Sequence, residues 1–171
     1  MESRLKNKFI YTIAVMFLFA FCGCMQKEIV KVGLDTYLKN QQQYKGEQFK
    51  DKEVVIAATL KDVNERYALY RGKIIELSAP VTYYGKSLFW TWYIMLQKDG
   101  LKLRCYEDHY RLYPDTLAVD AALKARTYGD EVTVRGKLYK DGLEMERLIY
   151  NGYNIDTNNP VRPFYPYPIW H

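Results

Sequence analysis

Histidine and cysteine are scarce in this chain of 171 residues, which has two histidines and three cysteines. Cys22 and Cys24 lie in the N-terminal apolar segment, so Cys105 is the one thiol expected in the body of the protein. No disulfide is therefore expected there, and the core has to hold the fold unaided. Nucleophile motifs, glycine-rich phosphate loops and metalloprotease helix motifs are also absent from the sequence. We predict that the protein is not an enzyme and has no cofactor.

Long hydrophobic runs are absent as well, which argues against a permanent transmembrane helix. Residues 9–21 carry no charge, but a helix that spans a bilayer needs about 20 apolar residues. A basic start with Arg4 and Lys6 precedes this run, and the run ends in Gly23 followed by Cys24. A basic start and a short apolar run are typical of an export signal.

This segment resembles a bacterial lipoprotein signal peptide, in which a glycine or alanine precedes the cysteine that is lipidated. The resemblance implies cleavage after Gly23 and acyl chains such as palmitate on Cys24, each CH₂ of which contributes about 0.8 kcal/mol to membrane binding. We therefore predict a lipid-anchored protein of the cell membrane or outer membrane that faces the periplasm or the exterior. Met25 stands where an aspartate would retain the protein in the inner membrane, which favours the outer one. An ordinary signal peptide or an uncleaved anchor is the alternative interpretation.

Charge of one sign is only mildly in excess. The formal net charge is +5, and residues 24–171 have 22 Lys and Arg against 19 Asp and Glu. Nucleic-acid binding is disfavoured on this ground, because it usually requires a concentrated basic stripe. Seventeen tyrosines and three tryptophans are abundant for this length, and aromatic residues favour strands and contact surfaces.

The segment between the signal and the folded domain is polar. Residues 24–52 include Gln41-Gln42-Gln43 and several lysines, and we interpret them as a tether with a short helix around Leu34, Tyr37 and Leu38. The next segment, Glu53–Arg71, has apolar residues at helical spacing and is predicted to be a helix. The β-branched run at residues 54–56 leaves a strand as the alternative there.

Short strands with turn signals follow. The pattern predicts strands over residues 73–84, 88–96, 101–106, 131–138 and 143–150. Lys98-Asp99-Gly100 and Lys140-Asp141-Gly142 predict hairpin turns, and Gly136 predicts a bulge. A helix is expected over Leu117–Tyr128, ending at Gly129. Residues 157–171 are rich in proline and aromatic residues and form a predicted extended tail.

The order helix, three strands, helix, two strands resembles the OB-fold. Short sequence motifs within residues 53–156 are similar to those of the tRNA-anticodon-binding-like group of OB domains, whose function is unknown. These motifs are Asn64-Glu65, Ala68, Tyr70-Arg71-Gly72-Lys73, and Gly129-Asp130 with Val132, Val134 and Gly136. The resemblance implies a mainly β protein: a small five-stranded OB-like barrel, with one helix before strand 1 and another between strands 3 and 4.

The candidate binding residues lie on strands two and three of this predicted barrel. Lys102, Arg104 and Tyr106 project together from strand three, and either Trp90 with Trp92 or Thr91 with Tyr93 joins them. We take Trp90 and Trp92 as the site residues. Rings beside cations hold single strands or sugars in OB-folds, and the alternative is a solvated face with aromatic cross-strand pairs.

A metal site is a further alternative, because Cys105, Glu107 and His109 alternate along one strand and would lie on one side of it. Cys105 also continues an apolar face and is expected to be a small core residue. We predict no metal.

Three functional hypotheses remain. The first is a non-catalytic, membrane-anchored lipoprotein whose OB-like module binds a protein or glycan partner at the cell envelope. The second is an OB module that binds an oligonucleotide or another anionic ligand. The third is a metal-dependent hydrolase that uses residues 105–109.

Overall fold

The computed structural model describes residues 27–86, 92–107 and 116–157. The predicted signal with Cys24, the candidate residue Trp90, the possible metal ligand His109 and the tail from residue 158 lie outside these ranges. In the described part of the chain, no helix is long and apolar enough to cross a membrane.

Within these ranges the chain forms eight strands, four α-helices and two short 3-10 helices. The strands are β1 (Glu28–Gly33), β2 (Lys52–Ala57), β3 (Ile74–Lys86), β4 (Trp92–Lys98), β5 (Leu101–Tyr106), β6 (Glu131–Tyr139), β7 (Gly142–Tyr150) and β8 (Tyr153–Asp156). The α-helices are α1 (Leu34–Lys39), α2 (Leu60–Glu65), α3 (Tyr67–Tyr70) and α4 (Thr116–Tyr128).

Five strands close into a barrel in the order β3-β4-β5-β7-β6, and β6 pairs back onto β3. All of these pairs are antiparallel except β5–β7, which is parallel. Helix α4 stands between the third and fourth barrel strands, and α2 and α3 precede the first. This is the arrangement of an OB-like barrel, so the predicted fold class is confirmed.

The inside of the barrel is filled by every second side chain along its strands. Ile94 and Leu96 of β4 and Leu103 and Cys105 of β5 are buried and belong to one core cluster. Helix α4 adds small side chains to the same cluster, namely Ala118, Ala121, Ala122 and Ala125. The predicted position of Cys105 in the core is confirmed.

Gly136 forms the predicted bulge, because the pairing register of β6 with β7 shifts between Arg135 and Gly136. A Cβ at this position would overlap the backbone carbonyl of Glu144. A residue without a side chain is therefore needed where these two strands approach each other. The predicted hairpin turns are also present, and Asp99 and Gly100 both adopt positive φ.

The prediction of a single helix over Glu53–Arg71 is wrong at its start. Residues 52–57 form β2, which pairs with β1 and β3. The β-branched side chains at 54–56 suit this strand. The helical part begins at Leu60, after a capping box in which the Thr59 side chain and Asp62 satisfy each other's backbone N–H.

The structure also differs from the predicted tether. Residues 28–33 form β1, which pairs in parallel with β2 from Glu28↔Lys52 to Gly33↔Ala57. Leu34 of α1 is buried in the core cluster, and α1 is the short helix expected around Leu34. This part of the polar segment is therefore folded onto the domain.

An ion triad of an exposed lysine and two largely buried partners joins β1 to the barrel. The Glu76 carboxylate of β3 lies 2.5 Å from Lys31 Nζ of β1 and accepts hydrogen bonds at 2.6 and 2.9 Å from Arg135 of β6. Burial alone would raise the pKa of Glu76, but the hydrogen bonds and charges of Lys31 and Arg135 outweigh it and lower that pKa. Both Glu76 and Arg135 are largely buried, with side-chain exposures of 11% and 5%.

Candidate ligand-binding face

The outward side of β3, β4 and β5 carries the aromatic and basic side chains of interest. Since Ile94 and Leu96 of β4 point into the core, the odd-numbered residues of this strand point outward. The pairing of β4 with β5 sets Tyr93 opposite Tyr106, Met95 opposite Arg104 and Gln97 opposite Lys102. The pairing with β3 adds Tyr83 beside Met95 and Gly85 beside Tyr93. We call this surface the Tyr93 face: Tyr83, Gly85, Tyr93, Met95, Gln97, Lys102, Arg104 and Tyr106.

Tyr93 is the centre of this face, because one side chain from each neighbouring strand packs against its ring. The guanidinium carbon of Arg104 lies 4.4 Å from the centre of the Tyr93 ring. The Tyr83 ring lies 5.4 Å away, centre to centre, at an interplanar angle of 31°. Burial, followed by the hydrogen bond and charge of Tyr83, raises the pKa of Tyr93, while Arg104 acts in the opposite direction. The phenol therefore stays neutral beside the cation.

Tyr83 and Arg104 are the groups of this face with capacity left for a ligand. Tyr83 is 43% exposed. Arg104 forms a cation–π contact with Tyr93, yet within the described ranges its Nε is buried and has no hydrogen-bond partner. A guanidinium offers several N–H donors in a planar fork, so an anionic group could bind the donors of Arg104 other than the buried Nε. Lys102 is exposed two residues away on the same strand.

The three predicted residues of β5 share this face, as expected, but they are not equivalent. Lys102 is exposed and Arg104 half-buried, whereas Tyr106 is only 2% exposed. Its hydroxyl lies 3.3 Å from the carboxylate of Asp141. Burial first, and then the charges of Asp141 and Glu144, raise the pKa of Tyr106 well above its usual range. The Tyr106 ring is therefore a supporting side chain and not a stacking surface.

Trp92 does not share this face, and its predicted grouping with Lys102, Arg104 and Tyr106 is wrong. It has the same parity as Ile94 and stacks on Tyr84, with ring centres 5.5 Å apart and an interplanar angle of 15°. Lys86 Nζ lies 5.3 Å from its ring centre. Tyr93, the alternative in the sequence analysis, takes the expected position.

The possible metal ligands are not arranged as a site in the described residues. Cys105 is fully buried, and burial raises the pKa of its thiol well above the usual range. Glu107 is 4% exposed. Over residues 27–86, 92–107 and 116–157, no group of three or more His, Cys, Asp and Glu side chains is placed to hold a metal ion.

A separate groove of about 620 Å³ lies near the point where β3 stops pairing with β2 and begins to pair with β4. Its wall includes three lysines, Lys31, Lys61 and Lys98, and the hydroxyls of Ser78 and Thr133, which lie 2.7 Å apart. Each lysine already has a carboxylate partner, in Glu76, Glu65 and Glu131. None of the residues of the Tyr93 face lines this groove.

Comparison with known proteins gives structural similarities only. No family model and no curated protein matches the chain. The ZRD-deleted mutant of TiaS in complex with agmatine is similar at 15% identity over 50% of this chain and 26% of that one, with a TM-score of 0.35. A tRNA fluorescent labeling enzyme is similar at 18% identity over 44% and 17%, with a TM-score of 0.33. Apo TiaS, a tRNAIle2 agmatidine synthetase, is similar at 16% identity over 54% of this chain and 20% of that one, with a TM-score of 0.35.

The chain thus spans about a quarter or less of the length of these structures. The assignment to the OB-like class rests on the strand order and closure of the barrel itself.

Proposed function

We propose that this protein is a non-catalytic OB-like binding module that holds a single-stranded oligonucleotide, or another planar anionic ligand, on the Tyr93 face. The observation that carries the proposal is the contact of Arg104 with Tyr93 at 4.4 Å, beside the exposed ring of Tyr83. This is the second hypothesis of the sequence analysis, and the geometry supports it better than the first.

The physical reason is the combination of a ring and two cations on one outward surface. Bases stack on aromatic rings whatever their identity, while cations along the groove follow the phosphates. Tyr83 supplies the ring, and Arg104 and Lys102 supply the charges. The modest net charge of the whole chain disfavours nucleic acid, but Arg104 and Lys102 put two cations on this face, and binding through them would be weak and salt-dependent.

A glycan remains the second candidate, since the exposed Tyr83 ring is also a surface on which a sugar could pack. A neutral sugar would leave the positive charges of Arg104 and Lys102 without a counterpart. The two candidates therefore differ in their response to salt.

The location of the protein is proposed from the sequence alone. A lipid anchor at Cys24 would hold the module at the cell envelope, where its ligand would be outside the cytoplasm.

A titration of the purified full chain with fluorescein-labelled dT6, followed by fluorescence anisotropy at low salt, tests the proposal. We expect Arg104→Ala to weaken binding by about tenfold, in the range of a lost charge-assisted contact. Lys137→Ala is the matched control, because Lys137 lies on β6, outside the Tyr93 face, and forms a cation–π contact with Tyr139 at 5.4 Å. Equal losses in both variants, or no binding by the wild-type chain, would contradict the proposal.

A further inference from the structure

Gly85 lies in β3 directly opposite Tyr93, and its backbone does not explain why a glycine is there. Its φ is not among the positive values found at Gly72, Gly100 and other turn glycines. The explanation is the neighbouring side chain. A Cβ at position 85 would overlap the hydroxyl, Cε1 and Cζ atoms of the Tyr83 ring.

The Tyr83 ring thus lies across the space that a side chain at position 85 would occupy, and this brings it to within 5.4 Å of the Tyr93 ring. The atoms in the way are the far end of a flexible side chain. A side chain at position 85 would therefore displace the ring without forcing the strands apart. This differs from Gly136, where a Cβ would meet backbone atoms of β7.

The number of rings that a ligand can use follows from the same arrangement. Tyr93 is flanked by Tyr83 from β3 and by Arg104 from β5, because β4 lies between these two strands. Tyr106 is buried. Tyr83 is therefore the one ring of the Tyr93 face, within the described residues, that has a large exposed fraction, and Tyr93 lies between it and Arg104.

We propose that Gly85 is a positioning residue that sets the Tyr83 ring as a single stacking platform, and that the ligand is one with a single stacked ring next to an anionic group. A nucleotide or the end of an oligonucleotide fits this description, since within residues 27–86, 92–107 and 116–157 the face offers no second exposed ring for a run of consecutively stacked bases. The inference rests on the proposed function and deepens it.

The test compares the wild-type full chain with Gly85→Ala and with Gly33→Ala. Gly33 is the matched control, since it also lies in a strand and a Cβ there would meet nothing within 4 Å. Binding of fluorescein-labelled dT2 and dT6 is measured by anisotropy, and stability by urea unfolding. The tyrosine ring signals of Tyr83 and Tyr93 are followed by NMR, with assignment through Tyr83→Phe and Tyr93→Phe.

We expect Gly85→Ala to weaken dT2 binding by about tenfold and to shift both ring signals, while its urea midpoint stays with that of Gly33→Ala. We expect dT6 to bind the wild-type chain no more than about tenfold tighter than dT2, whereas each further stacked base would add roughly 5- to 150-fold.

Binding by Gly85→Ala equal to that of the wild type would overturn the role of Gly85 and leave the proposed function standing. Tightening beyond the stated limit between dT2 and dT6 would overturn the single platform. If the wild-type chain binds neither probe, the proposed function and the ligand class fail together. The ring signals then decide the role of Gly85: a shift supports it and unchanged signals overturn it.

Discussion

Arg104 and Tyr93 lie on adjacent strands, and the guanidinium of the first stacks over the ring of the second at 4.4 Å from its centre. The pair is diagonal in the sheet, because Arg104 is paired with Met95 and Tyr93 with Tyr106. A contact of this type at a partly desolvated site contributes roughly 0.5–2 kcal/mol. It also fixes the orientation of the guanidinium, so that its remaining donors are held in place before a ligand arrives.

Removal of the exposed ring should reduce ligand binding and leave the fold intact. Tyr83→Ala is expected to lose about 1–3 kcal/mol of binding free energy for an oligonucleotide, the usual contribution of one stacked base. Anisotropy titration with dT6 measures it. Tyr153→Ala is the control, since Tyr153 is an even more exposed tyrosine, at 73%, on β8. A loss of similar size at Tyr153 would show that the Tyr93 face is not the site.

The ion triad should be important for stability, because Glu76 neutralises two cations, one of them the buried Arg135. Glu76→Gln leaves that guanidinium without its counter-ion and is expected to lower the free energy of unfolding by about 3–5 kcal/mol. Glu131→Gln is the control, because its pair with Lys98 is half-exposed and contributes no more than about 1 kcal/mol. Urea unfolding at pH 7 measures both, and equal midpoints for the two variants would refute the triad's role.

The same triad predicts a pH dependence. The pKa of Glu76 is lower in the folded chain than its ordinary value of 4.5. Its contribution is therefore complete above that value and is lost as the pH falls through the folded pKa. We expect wild-type stability to decrease below about pH 4.5 more steeply than that of Glu76→Gln, in urea titrations at a series of pH values. Parallel curves would contradict the lowered pKa.

Gly136 should tolerate no side chain. Gly136→Ala places a methyl group against the backbone carbonyl of Glu144, and overpacking of this kind lowers the free energy of unfolding by about 1–3 kcal/mol. Thermal or urea unfolding checks the value against Gly33→Ala. A Gly136→Ala variant as stable as this control would contradict the close approach of the two strands at the bulge.

The lipid anchor remains a prediction from the sequence. Cys24→Ala should abolish incorporation of labelled fatty acid, whereas Cys22→Ala should retain it, because Gly23 precedes Cys24 and bulky Phe21 precedes Cys22. Growth with labelled palmitate followed by immunoprecipitation measures both. Labelling that persists in Cys24→Ala would show that another residue is modified.

Much of the fold could be predicted from the sequence, because its signals are local. Asp-Gly turns, the alternation over residues 101–106 and the alanine-rich helix each depend on short stretches. The apolar stripe over residues 56–70 predicts burial correctly, and the helix that it predicts is wrong only at its start, where residues 52–57 form a strand. Ile56, Leu60, Val63 and Tyr70 do share one core cluster, but they reach it from β2, α2 and α3. The strand was only the alternative prediction, because its pairing with β1 and β3 is not visible in the local pattern.

The candidate site was predicted only in part for a similar reason. The strand β5 alternates clearly, so the side of Lys102 and Arg104 could be predicted. The run around Trp92 is apolar and aromatic on both sides, so its sequence does not show which of its residues point into the core. The burial of Ile94 and Leu96 in the folded barrel fixes which side faces outward. The role of Gly85 depends on where the Tyr83 ring lies, which no sequence pattern records.

The salt dependence of ligand binding tests the central claim most directly. Affinity of the wild-type full chain for labelled dT6 is measured from low to physiological salt, beside a neutral oligosaccharide as the comparison ligand. Two phosphate contacts, from Arg104 and Lys102, predict that log K falls with log salt at a slope of about −1.4 for a single strand. A flat response for dT6, or tight binding of the neutral oligosaccharide with none of dT6, would contradict the account.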